Sequence, residues 1–185
     1  MITDDSRTCQ LVWINGAFGA WKTTVASLLA EKIPGAVIID PEEVGSLLRP
    51  VLQPVAPVHD FQEWSAWRDL VGSTITAVAR ELPADGPRLM IVPQTITGES
   101  YWSQMIGALG SDIEVVPVSL RVEEDEHRHR VERDAAEPGA LRWRLAKFGR
   151  FREATWITDA FTVVDTTELS ADAVADEVSG IIKRR

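Results

Sequence analysis

Eight consecutive residues, Gly16, Ala17, Phe18, Gly19, Ala20, Trp21, Lys22 and Thr23, follow the phosphate-binding pattern G-x-x-x-x-G-K-[ST] at every fixed position but one, where Trp21 replaces the second glycine. In such a loop the backbone N–H groups at a helix N-terminus point at phosphate oxygens, the lysine reaches the β- and γ-phosphates, and the next hydroxyl helps hold Mg²⁺. Lys22 and Thr23 stand where those roles require, with Thr24 behind them, so the pattern predicts binding of ATP or GTP with Mg²⁺. A glycine before the lysine lets the main chain approach phosphate with no Cβ in the way. An indole there must point outward or lie across the site. Three readings of Trp21 stay open: retained nucleotide binding, weakened binding, or a disabled site.

Further residues have types suited to the same chemistry. Asp40 ends the apolar run "AVIID", which places it at the carboxyl edge of a parallel sheet, where ligands bind; Pro41 after it also makes it a natural helix cap. The run "RLMIVPQT" carries Val92, Pro93 and Gln94 where a magnesium-binding aspartate is expected. Magnesium is therefore assigned to Thr23, phosphate oxygens and water, with Asp40 in its outer shell. Gln94 and Thr95 are candidates for substrate contact. Nine of the 19 Lys and Arg residues fall between Arg121 and Arg152, and from this segment Arg128, Arg133, Arg142 and Arg144 are candidates to close on a transferring phosphate as a lid at about 134–152. Arg128 and Arg130 are also explained by helical pairing with acidic residues four positions back. His127 and His129 are two apart with no cysteine near, a spacing that does not make a zinc site. His59 beside Asp60, and the stripe Phe61, Trp64 and Trp67, read as substrate contacts or as loop and core residues.

The elements that would position these groups alternate. Leu11 to Asn15, "AVIID", "RLMIVP", "IEVVPVSL" and "FTVVD" are short apolar runs, and helical spacing follows the first, as Val25, Leu28, Leu29 and Ile33. "RPVLQPVAPVHD" reads as a loop. Asp60 as N-cap begins a long amphipathic helix that reaches Leu82 and ends at Pro83. Glu99 to Leu109 and "EEDEHRHRVERD" are helices, "ALRWRLAKFGRFREA" is ambiguous, and Ser170 caps a last helix. Strands alternating with helices predict an α/β fold, a mainly parallel five-stranded sheet covered on both faces.

A chain of 185 residues with 45% hydrophobic and 25% charged residues reads as one domain over 1–185. The net charge of −9 argues against a nucleic-acid surface. No apolar run is long enough for a membrane helix, and the polar start and single cysteine, Cys9, suit the cytoplasm.

Taken together, "WINGAFGAWKTT", "AVIIDPEEVGSLLR", "DFQEWSAWR" and "IVPQTIT" resemble the tunicamycin-resistance-protein family of small P-loop proteins, in order along most of the chain. The usual first motif of that family has glycine at Trp21. The resemblance implies a nucleoside-monophosphate-kinase-like fold, as in chloramphenicol phosphotransferase and shikimate kinase, and ATP-dependent phosphorylation of a hydroxyl on a uridine-type nucleoside antibiotic such as tunicamycin or muraymycin. It further implies that Asp40 orients or deprotonates the acceptor hydroxyl. The segment with Glu43, His59, Phe61, Trp64 and Trp67 would then build the acceptor site, and Asp165, Thr166 and Thr167 would approach the adenine edge. Sequestration of the antibiotic without chemistry is the rival reading, supported by Trp21.

Overall fold

The structure, a computed structural model, describes residues 8–133 and 141–185. Five strands, β1 (Cys9–Gly16), β2 (Val37–Ile38), β3 (Leu89–Pro93), β4 (Ile113–Arg121) and β5 (Thr162–Asp165), form one parallel sheet in the order β2-β3-β1-β4-β5. Parallel strands need crossovers, and the crossovers here are helices on both faces: α1 (Lys22–Lys32), α2 (Pro41–Leu52), α3 (Ser65–Glu81), α4 (Glu99–Gly107), α5 (Glu124–Arg133), α6 (Leu141–Glu153), α7 (Trp156–Ala160) and α8 (Ala171–Ile182).

The two-residue period of a strand sorts side chains between the faces. Val12 and Ile14 of β1, Ile91 of β3 and Val116, Val118 and Leu120 of β4 pack with α1 and α8, whereas Leu11, Trp13, Met90 and Val92 pack with α3, Met105 of α4 and Ile157 of α7. β1, paired on both sides, lies wholly within this double core. Its carboxyl end therefore meets the loops after β3 on one side and after β4 on the other.

Several boundaries differ from the sequence-based expectation. The helix expected to begin after Asp60 is broken at Trp64, whose backbone is extended (φ −76°, ψ 121°). Asp60 caps only a single 3₁₀ turn, Phe61–Glu63, before α3 begins. The Trp64 indole donates to Ala56 O at 2.7 Å, and that anchor turns the chain between the two helical pieces. The segment read as a loop from Arg49 instead continues α2 through Pro50, which lies in the last turn and forgoes the one bond its N–H would have made to the carbonyl of Ser46. The ambiguous run "ALRWRLAKFGRFREA" contains α6, and α7 follows it.

Candidate active site

The loop between β1 and α1 is built around a single asparagine. Asn15 is fully buried; its Oδ1 accepts from Gly16 N and Ile96 N, both at 2.9 Å, and its Nδ2 donates to Ile96 O at 3.0 Å. Thr95 Oγ1 adds a bond to Gly16 O at 2.7 Å. The loop after β3 is thereby bolted to the root of the glycine loop. Beyond it Gly19 has φ 85°, and a Cβ there would lie 2.8 Å from Val131 Cγ2 of α5, so this glycine answers both a backbone and a packing demand.

Trp21 sits immediately before α1 with φ 65° and ψ 18°, alone among the described non-glycine residues in having positive φ. The missing glycine of the motif thus stands in the conformation glycine would favour. That costs a Cβ-bearing residue on the order of 1 kcal/mol. The half-buried indole lies flat on Arg130, with the guanidinium carbon 3.4 Å from the ring centroid. Arg130 is itself fixed at its edge by Glu126 Oε1 (2.8 Å), Thr166 Oγ1 (3.0 Å) and Thr166 O (2.6 Å). The guanidinium in turn draws the Glu126 carboxyl below its usual range.

His127, one turn from Val131, is fully buried. Its ring stacks on Phe148 of α6 at 3.9 Å, and its Nε2 is 2.6 Å from Phe18 O. A carbonyl only accepts, so Nε2 carries the proton, and Nδ1 is left buried with no hydrogen-bond partner. Burial pushes the His127 pKa down, against the pull of the Phe18 carbonyl. Lys22 Nζ donates to Ala17 O at 3.0 Å and stands 5.1 Å from the Phe18 ring centroid.

In front of this loop opens a cavity of about 290 Å³. It brings Lys22, Thr23 and Thr24 at the head of α1 together with Asp40, Glu42, Gln94 and Thr95. Asp40 is exposed, and its Oδ1 caps α2 by accepting from Glu42 N at 2.9 Å, so the cap and the cleft position coincide in one carboxylate. The first amides of α1 have no acceptor within the helix, which makes this end of the cleft a seat for an anion. Thr23, Asp40 and Glu42 add hard oxygen donors of the kind Mg²⁺ takes. Among the described residues no group of three or more His, Cys, Asp or Glu stands ready to hold a metal by itself.

Two smaller hollows adjoin the cleft. One is lined by His59, Phe61, Arg49 and Glu42; the other by Tyr101, Thr97, Lys147 and Arg150; Phe18, Asp60, Gln62 and Thr95 border both. Lys147 Nζ reaches Asp60 Oδ2 at 2.5 Å, tying α6 to the 3₁₀ turn. Phe61 lies under Arg49, the guanidinium 4.7 Å from its centroid.

Of the residues singled out in the sequence, Phe18, Gly19, Trp21, Lys22, Thr23, Thr24, Asp40, Gln94 and Thr95 meet in the main cleft, and His59 and Phe61 line its extension. Glu43 does not line it; Glu42, one position earlier, does, because α2 turns that side to the sheet edge. Trp67 is wholly buried with its indole on Pro41 O at 2.9 Å, and Trp64 is 6% exposed, so both belong to the core rather than to a stacking platform. Arg128 is exposed on α5 and lines none of these hollows, whereas Arg133 lies beside Trp21 and Arg130. The side chains of Arg142 and Arg144, and the residues 134–140 of the expected lid, lie outside the described residues. Asp165, Thr166 and Thr167 form a tight turn in which the Thr167 hydroxyl and amide bond Asp165 Oδ1 and hold its carboxyl below the usual range. Sequence reasoning gave Arg130 and His127 only local roles; their one-turn spacing with Glu126 and Val131 hinted at a common face, but not at what it covers.

No family model matches the chain, and no curated protein matches it. Solved structures do. The chain is similar to the tunicamycin resistance protein of Deinococcus radiodurans, at 26% identity and a TM-score of 0.65 over 94% of this chain and 95% of that one. It is also similar to a gluconokinase from Sinorhizobium meliloti (14% identity, TM-score 0.63, covering 96% and 94%) and to shikimate kinase from Acinetobacter baumannii (18%, 0.62, 96% and 95%). The five-stranded parallel sheet with helices on both sides is the P-loop kinase fold.

Proposed function

We propose that this chain is a phosphotransferase that moves a phosphoryl group from a nucleoside triphosphate to a hydroxyl of a uridine-type nucleoside antibiotic, and so confers resistance to it. The observation that carries the reading is the meeting of Lys22 and Thr23, at the head of α1, with Asp40 in one cleft. The likeness to a tunicamycin resistance protein supports the choice of a nucleoside antibiotic as the acceptor.

Phosphoryl transfer is mostly positioning and electrostatics, and each part has a residue here. The α1 amides and Lys22 hold the β- and γ-phosphates against the helix N-terminus. Thr23 is the residue that would hold Mg²⁺, with water and phosphate oxygens completing its shell, and the ion would supply neutralisation of charge on the phosphates. Asp40 keeps one oxygen as the α2 cap and offers the other to the acceptor hydroxyl, orienting it and taking its proton. Gln94, Thr95, His59 and Phe61 line the route by which the acceptor enters, and Lys147 closes it through Asp60. Arg142 and Arg144 are the arginines we assign to the charge developing on the transferred group; Arg133, beside Trp21 and Arg130, and Arg128 stand further from it.

The test is incubation of the protein with Mg²⁺, ATP and tunicamycin or muraymycin, followed by mass spectrometry of the drug. A gain of one phosphate is the expected result. Unchanged drug that nevertheless stays bound would favour the second reading, sequestration without chemistry, for which the covered Arg130 beside the phosphate loop is the specific observation.

A further inference from the structure

The sheet order gives the cleft two ends. Asp40, Gln94 and the α2 side lie over β2 and β3, whereas α5 and the β5–α8 turn lie over β4 and β5. A phosphate chain seated on the head of α1 with its terminal group toward Asp40 therefore leads its other end toward Trp21 and Arg130. At that end a planar base needs a flat face to lie on, and among the described residues the Arg130 guanidinium is a face held in place for one. Arg130 is only 9% exposed, and its plane is set by Glu126, Thr166 Oγ1 and Thr166 O. That face is already covered, because at 3.4 Å the indole of Trp21 is in van der Waals contact with it and nothing fits between. The αL backbone of Trp21, unique among the described non-glycine residues, is what aims the ring there.

We infer that Trp21 takes the place of the donor's base, so that the donor site recognises a magnesium-bound polyphosphate chain and is nearly indifferent to what is attached to it. Inorganic triphosphate is then as good a ligand as ATP or GTP. The inference rests on the reading of the β1–α1 loop as a phosphate site, and it assigns Trp21 the setting of donor specificity.

The experiment is calorimetric titration of the whole chain, in Mg²⁺, with ATP, GTP and inorganic triphosphate, beside Trp21→Gly and Lys22→Ala. Comparable affinities for the three ligands are expected in the unaltered protein. In Trp21→Gly, ATP should gain about tenfold over triphosphate, since base stacking on the uncovered guanidinium becomes available. Lys22→Ala should weaken all three together. A preference of tenfold or more for ATP in the unaltered protein would overturn the inference while leaving the phosphate site standing. So would an equal gain for ATP and triphosphate in Trp21→Gly, which would mean that the ring obstructs phosphate. If no ligand binds either protein, the phosphate site falls and the inference with it. Should Trp21→Gly not fold, the three-ligand comparison in the unaltered protein still decides.

Discussion

Substituting His127 perturbs the contact through which α5 and α6 grip the phosphate loop. His127→Ala removes the bond to Phe18 O, worth about 1 kcal/mol, and the stack on Phe148, worth about 1 kcal/mol more. It also leaves a cavity at a wholly buried site, which brings the loss to about 3–4 kcal/mol. His127→Phe keeps the stack and removes the orphaned Nδ1, so it should cost only about 1 kcal/mol. The decisive difference is in pH dependence. The folded-state pKa of His127 lies below its unfolded value of 6.5, so the unfolded chain binds the proton more readily. The contribution is complete above the unfolded pKa and is lost as pH falls from there toward the folded pKa. Urea unfolding at about pH 7.5 and about pH 5.5 should show a loss of stability in the unaltered protein that is reduced in His127→Phe. Equal losses in the two proteins would refute the assignment of a neutral, desolvated imidazole to this position.

Asp40→Asn should lower kcat by about 10²–10⁴-fold with donor affinity unchanged, as measured by steady-state kinetics and calorimetry. Asparagine caps helices as well as aspartate does, so its melting temperature should not move. Gly45→Ala places a Cβ 2.0 Å from Phe61 Cδ2; it should destabilise by about 1–3 kcal/mol in thermal unfolding and raise KM for the acceptor more than for the donor.

The strands were readable because each is an apolar run of strand length. The two-faced core followed, because alternation along β1, β3 and β4 requires helices on both sides. Asp40 was readable as the α2 cap, since Pro41 after a strand fixes the helix start, and its place at the strand end accounts for its position in the cleft beside Lys22 and Thr23. What stayed hidden depends on contacts distant in sequence. Helical spacing marks a stripe at Phe61, Trp64 and Trp67 but not its surroundings, and packing against α2 sends Trp67 inward to Pro41 while leaving Phe61 at the cleft. Glu42 and Glu43 differ only by the angle at which α2 meets the sheet edge. Arg130 looked like half of an ordinary i, i+4 pair with Glu126, which it is. Its other partners, Thr166 and Trp21, come from opposite ends of the chain.

Asn15 and Thr95 divide the cleft into parts with different freedom to change. With the Gln94–Ile96 segment fastened to the glycine loop by one buried amide and one hydroxyl, the donor seat and the floor beneath the acceptor form a single inflexible frame. The remaining walls belong to α2, the 3₁₀ turn and α6, joined to one another by the Lys147–Asp60 pair and by Phe61 against α2. Under the proposed function, a lineage carrying this frame can trade one acceptor for another by altering residues on those walls, and none of those exchanges need disturb the residues proposed to hold phosphate. Laboratory selection for a new drug should accumulate its changes there first.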